Sequence, residues 1–277
     1  MYVSQTSSCE VYACLLRKPR GHISKVVCKV TSIEEARTGL EHEAAIYQLP
    51  QLAALRGRQI PDFFGIFSAD VRGIRTTCIV LEYGGEALDE DHKLEHQYRP
   101  FREATVRAYE ALHLVGVYKH WHPEDSTRQV FQRHILMRPN GEPCLVDFTR
   151  ARKWHDCTQI FVQFDRIEPG QATHMCTELY HVGDLADAWY PAQFTVSNAG
   201  KTHDLRYIPA NIDLDSDANV QQLLDRPLKK IGVTTIAHAR EVLRKGIERY
   251  EHDIERRKRR DEFEVKEHSK ISPAKLV

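Results

Sequence analysis

Lys25-Val26-Val27-Cys28-Lys29-Val30 is a run of strand length rich in β-branched residues. Just before it, Lys18-Pro19-Arg20-Gly21 breaks the chain, and Val11-Tyr12-Ala13-Cys14-Leu15-Leu16 forms a second short apolar run. Two such runs across a turn-rich break predict neighbouring antiparallel strands. On the other side, Ser32-Ile33-Glu34-Glu35 fits a capping box. Ala36, Leu40, Ala44 and Tyr47 then recur on one helical face, with Glu43 beside it. Further strands are expected over 62–67 and 76–83, and Gly84-Gly85 marks a break.

Beyond Gly85 the pattern turns helical. Phe101, Ala104, Ala108 and Leu112 make an apolar stripe on a helix ending near Gly116. Short strands over 134–137 and 144–148 flank Pro139-Asn140-Gly141, where Asn-Gly signals a hairpin. Residues 158–230 are punctuated by Gly, Pro and Asn and give few periodic signals. From Thr235, the stripe Ile236, Ala239, Leu243, Ile247, Tyr250 and Ile254 predicts a long amphipathic helix, with frayed, charged residues past Arg260.

With 277 residues, 42% hydrophobic and 28% charged, the chain can bury a core of one large domain or two lobes around a cleft. Lys+Arg and Asp+Glu number 39 each, so no net charge points to nucleic acid as partner. The exception is Arg256-Arg257-Lys258-Arg259-Arg260, which reads equally as an import signal, a nucleic-acid patch or a solvated helix end. No apolar stretch approaches the roughly 20 residues of a membrane span, and Ser4 to Glu10 is polar where a signal peptide would be apolar. An intracellular protein, cytoplasmic or nuclear, is therefore expected.

The seven cysteines are scattered through apolar runs, as reduced thiols are. His155-Asp156-Cys157 and His174-Met175-Cys176 repeat a His-x-Cys unit that could supply four zinc ligands. One intervening residue strains a tetrahedral bite, so buried thiols and surface histidines are the favoured reading.

A strand-rich segment with one helix, a Gly-Gly break, then a helical segment with a short hairpin resembles the protein-kinase layout, and so do the motifs. Val26-Val27-Cys28-Lys29 resembles the strand whose lysine meets nucleotide phosphates, with Glu43 placed to orient it. Val80-Leu81-Glu82-Tyr83-Gly84 is similar to the hinge that reads adenine, which marks Glu82 and Tyr83. Cys144-Leu145-Val146-Asp147-Phe148-Thr149 resembles the strand running into D-F-G, with Asp147 as magnesium ligand. Leu112-His113, Gly116-Val117 and Arg133-His134-Ile135-Leu136 complete a kinase-like catalytic segment. The wording around Asp147, then His155, Cys157 and Cys176-Thr177-Glu178-Leu179, is most similar to the kinase-like proteins of mushroom-forming fungi. The resemblance implies an α+β, two-lobed fold: an N-lobe over 1–83, a C-lobe over 84–253 and a disordered charged tail over 254–277. It also implies ATP and Mg2+ as ligands and a protein partner or substrate.

The departures bear on activity. His134 stands thirteen residues before Asp147, in the place of the metal-binding asparagine, and five residues further back is Gln129 rather than an aspartate base. The nearest carboxylates are Glu124 and Asp125; using Asp125 as base requires four extra loop residues. Imidazole nitrogen is a poor magnesium ligand. The segment Ser4-Gln5-Thr6-Ser7-Ser8-Cys9-Glu10-Val11, in the place of the glycine-rich loop, has no glycine. An Ala-Pro-Glu motif is missing after Asp147, and Asp187 is the candidate for the aspartate of a central helix. These changes favour weak ATP binding and a pseudokinase-like scaffold. The alternatives are an active Ser/Thr-type kinase using Asp125 and a small-molecule kinase of aminoglycoside or choline type.

Overall fold

In a computed structural model of the chain, which describes residues 2–5, 9–17, 23–88, 93–119, 132–155, 157, 161–169, 176–206 and 214–270, the fold is mixed α+β with several small sheets. The described residues form two compact units, one drawn from 1–162 and 174–187, the other from 163–173 and 188–272. Tyr83, where the sequence suggests a boundary, lies inside the first unit.

In the first unit, β1 (Tyr2–Gln5), β2 (Glu10–Arg17), β3 (Ile23–Thr31), β4 (Phe63–Val71) and β5 (Ile74–Glu82) form an antiparallel sheet in the order β1-β2-β3-β5-β4. The β4–β5 turn uses Arg72 and Gly73 at φ 55° and 81°, the backbone that suits the right-handed twist of a tight hairpin. Helix α1 (Glu34–Tyr47) packs on this sheet and buries Leu40, Ala44, Ile46 and Tyr47.

The expected capping box does not form. Ile33 occupies the N-cap without a side-chain bond, and its N–H donates instead to Thr31 Oγ1 at 3.1 Å. The sheet holds Thr31 almost fully buried, so the last residue of β3, not Ser32, supplies the acceptor. Thr31→Val is therefore expected to cost ~1 kcal/mol and Ser32→Ala less than ~0.5 kcal/mol in urea unfolding. A larger loss at Ser32 would return the cap to it.

The rest of this unit begins with a short sheet, β6 (Glu86–Ala87), β8 (Ile135–Met137) and β9 (Pro143–Leu145), in the order β6-β8-β9. Gly85 reaches it at φ 114°, and a Cβ there would stand 2.0 Å from Met137 O, so only glycine permits the approach. Helix α2 (Arg99–Leu114) packs on β9 and on α3 (Thr177–Leu185), while β7 (Val117–Tyr118) pairs with β10 (Arg152–Lys153). Buried Arg102 of α2 donates to Ala186 O at 3.1 Å, closing the end of α3.

In the second unit β11 (Arg166–Ile167) pairs in parallel with β12 (Trp189–Tyr190), and β13 (Gln193–Asn198) forms a hairpin with β14 (Lys201–Arg206) through Ala199-Gly200. After α4 (Asp217–Leu223) and a π-turn at Leu224–Leu228, α5 (Ile236–Lys270) packs its apolar stripe on β13. Phe194, Val196, Leu243 and Tyr250 centre this core; Gly246 lets the helix approach, since a Cβ there would meet Val196 at 2.9 Å.

The segment expected to be a disordered tail continues α5 to Lys270. Pairs at helical spacing sustain it: Asp253–Arg256 (3.1 Å), Glu255–Arg259 (3.5 Å) and Arg260–Glu264 (3.8 Å). The basic run is correspondingly engaged, for Arg257 also donates to Trp189 O at 2.7 Å and Lys258 lies 5.8 Å from the Tyr190 ring. Among the described residues no helix is long and apolar enough to cross a membrane.

Candidate functional site

Three residues far apart in sequence meet in the first unit. The β3–β5 register, Lys29 opposite Ile79, places Lys29 on the central strand, and α1 crosses the sheet so that Glu43 faces it. Lys29 Nζ lies 2.8 Å from Glu43 Oε2 and 3.3 Å from Asp147 Oδ1. Glu43, only 1% exposed, also accepts the Phe148 N–H through Oε1 at 3.1 Å. One carboxylate thus holds both the lysine and the backbone beside Asp147. Phe148 is fully buried, its ring edge-on to Tyr47 at 5.1 Å, which anchors this segment under α1.

Asp147 has φ 65°, a left-handed backbone uncommon for a residue with a side chain, kept here by its surroundings. Thr149, two residues on, donates its hydroxyl to Asp147 Oδ1 at 2.6 Å. The other carboxylate oxygen lies 3.1 Å from His134 Nε2.

Electrostatics follow from this crowding. Burial works against charge on Lys29, but Glu43 and Asp147 outweigh it, and its pKa is raised. Burial alone would raise Asp147 as well; Lys29, His134 and Lys119, with the Thr149 hydroxyl, hold it well below the usual carboxylate range. His134 is pushed down to about 4, first by burial and then by Lys119, so at neutral pH it is an uncharged imidazole donating Nε2–H to Asp147. Lys119 is buried and its pKa is lowered.

Of the residues marked from sequence, Lys29, Glu43, His134 and Asp147 come together. The Glu82 carboxylate is occupied: Arg138 grips it with two bonds, 2.9 and 3.2 Å, and the Asp62 N–H donates to it at 3.1 Å. Tyr83 Oη donates to Glu86, and its ring carries Lys25 Nζ 3.4 Å from the centroid. Asp187 sits in a turn after α3 at φ 52°, not on a helix. Asp125, Glu124 and Gln129 lie outside the described residues, as do residues 6–8.

Lys119, Arg138 and Thr149 were not marked as site residues from sequence. Thr149 stood in the quoted motif and differed from it, and that difference was the available signal. Lys119 and Arg138 gave none, because each acts on a partner distant in the chain. In the second unit, a cavity of about 280 Å³ bounded by Tyr190, Phe194, Arg249, Tyr250 and Arg257 contains none of these residues.

No family model matches the chain, and none of the curated proteins matches it. A lysine ammonium held by a buried glutamate can meet an anionic group, and a carboxylate beside it can take a hard cation.

Proposed function

We propose that the first unit is a divergent protein-kinase-like domain with two lobes, binding ATP weakly with Mg2+ and working as a scaffold in which phosphotransfer is weakened or lost. The observation that carries this is the Lys29–Glu43–Asp147 constellation, with 2.8 and 3.3 Å contacts, on an antiparallel sheet with one packed helix. It agrees with the order of motifs in the sequence. Lys29 would meet the nucleotide phosphates, Glu43 would orient Lys29, and Asp147 would take Mg2+ through oxygen.

The donor set fits magnesium only in part. Asp147 supplies the hard oxygen that Mg2+ prefers, whereas His134 presents nitrogen at the neighbouring position. Glutamine at 129 is no base, and loss of a positioned base alone costs about 10²- to 10⁴-fold in rate. Those two departures favour the scaffold over an active kinase.

A thermal-shift titration of the full chain with ATP, with and without Mg2+, tests the reading. Millimolar ATP should raise Tm, and more so with Mg2+, since ligand at tenfold its Kd adds ~1.4 kcal/mol. A folded protein with no shift at millimolar ATP would remove nucleotide binding. Phosphotransfer well above that of the Asp147→Asn variant would replace the scaffold reading with an enzyme.

A further inference from the structure

Away from Lys29, the end of α2, the residues after β10 and the start of α3 bring four soft or borderline ligands to one point. His113 Nδ1 lies 3.4 Å from Cys157 Sγ, and one ligand atom each of His113, His155, Cys157 and Cys176 all lie within 4.8 Å of one another. We propose that these four residues form a structural zinc site.

Zinc holds nitrogen at about 2.0–2.1 Å and sulfur at about 2.3 Å, so neighbouring ligands of a tetrahedral site stand about 3.3–3.8 Å apart. The observed group needs at most a small contraction to reach that geometry. The single-residue spacing of His155 and Cys157, which argues against zinc in the sequence, is met by Trp154 at φ 65°, which turns the chain just before the pair. The site also differs in membership from the repeated His-x-Cys units, because the fourth described ligand is His113, 42 residues before His155.

The surroundings of His113 are those of a metal-bound imidazole. Its Nε2–H donates to Glu178 Oε2 at 2.7 Å, and both side chains are fully buried. With the metal bound and the remaining proton on Nε2, Nδ1 would direct its lone pair to the ion, on the side where it faces Cys157 Sγ. Glu178 Oε2 also accepts the Lys119 N–H at 3.1 Å, while its Oε1 is buried without a hydrogen-bond partner among the described residues. A buried carboxylate so placed fixes the orientation of the His113 ring and strengthens its nitrogen as a ligand. Two thiolates would neutralise Zn2+, leaving no net charge inside the ligand set, and their softness selects zinc over magnesium or calcium. Cys176 is the N-cap of α3, where helix N–H groups favour thiolate.

Such a site ties three chain segments together at points where strand pairing is only two residues long, as in β7–β10. Through Glu178 it also positions the Lys119 backbone, whose side chain is electrostatically coupled to Asp147.

The test is metal analysis of the full chain purified under reducing conditions without chelator. One zinc per chain is expected, falling to background in the Cys157→Ser, Cys176→Ser double variant and unchanged in Cys14→Ser, a thiol on β2. Glu178→Gln should keep the site but weaken it roughly 10–100-fold. Should the double variant fail to fold, Co2+ added to metal-free wild type decides. Thiolate charge-transfer bands with the intense visible bands of four-coordinate cobalt support the site. Weak six-coordinate bands overturn it, as would a folded wild type that takes up no zinc, zinc retained by a folded double variant, or a Cys157–Cys176 disulfide in the wild-type mass spectrum.

Discussion

Glu43→Ala is expected to destabilise the protein by about 3–5 kcal/mol, read from urea unfolding, because it leaves the buried Lys29 ammonium without its nearest counter-charge. The Lys29–Glu43 contact is 2.8 Å, and exposure of the two side chains is 14% and 1%, so water cannot replace the lost carboxylate. The same change removes the acceptor of the Phe148 N–H and leaves that donor buried. A buried pair owes much of its apparent worth to the cost of leaving one half behind. The double variant Lys29→Met, Glu43→Leu should therefore be more stable than Glu43→Ala, and the single effects should not add. It should nevertheless lose any response to ATP. A Glu43→Ala loss under ~1 kcal/mol, or strict additivity, would show that the pair does not act as a buried unit.

Legibility in the sequence followed the range of the interaction. Period-two and helical patterns are local, and the strands and helices they marked were found: β2 with β3, β4 with β5, α1, α2, the hairpin around Asn140-Gly141 and the start of α5. Lys29, Glu43 and Asp147, singled out in the sequence by a resemblance, do meet in the structure. What escaped depended on partners elsewhere. Arg138 neutralises Glu82 across 56 residues, and no local pattern announces that. The α1 cap moved from Ser32 to Thr31 because the strand end delivers the hydroxyl, a tertiary effect on a local rule. The length of α5 was missed because charge alone suggests fraying, whereas its signs alternate at helical spacing and support the helix. His113 joined the His/Cys group only once α2 was placed against the start of α3.

His134 lies 3.1 Å from Asp147, and His134→Asn is expected to change two independent readouts. The first is acid stability without nucleotide. Burial, reinforced by Lys119, Lys29 and Arg133 and opposed by Asp147, holds the imidazole pKa at about 4. Unfolded histidine takes its proton near 6.5, so between pH 6.5 and 4 protons bind the unfolded chain in preference. The wild type should keep its stability above about pH 6.5, lose it progressively down to about pH 4, and lose no more from this group below that. The side chain is 31% exposed, which reduces the loss to ~2 kcal/mol. Asparagine does not titrate, so the variant should be flatter in that window, while contributions from other groups cancel in the difference. The second readout is magnesium. Asparagine offers a carbonyl oxygen where imidazole offers nitrogen, and the Mg2+-dependent part of the ATP thermal shift should grow. Flattening without the magnesium gain would leave His134 a neutral partner of Asp147 and remove the second metal position from the proposal. Neither change would mean that the imidazole is solvated and that burial and Lys119 do not hold it uncharged.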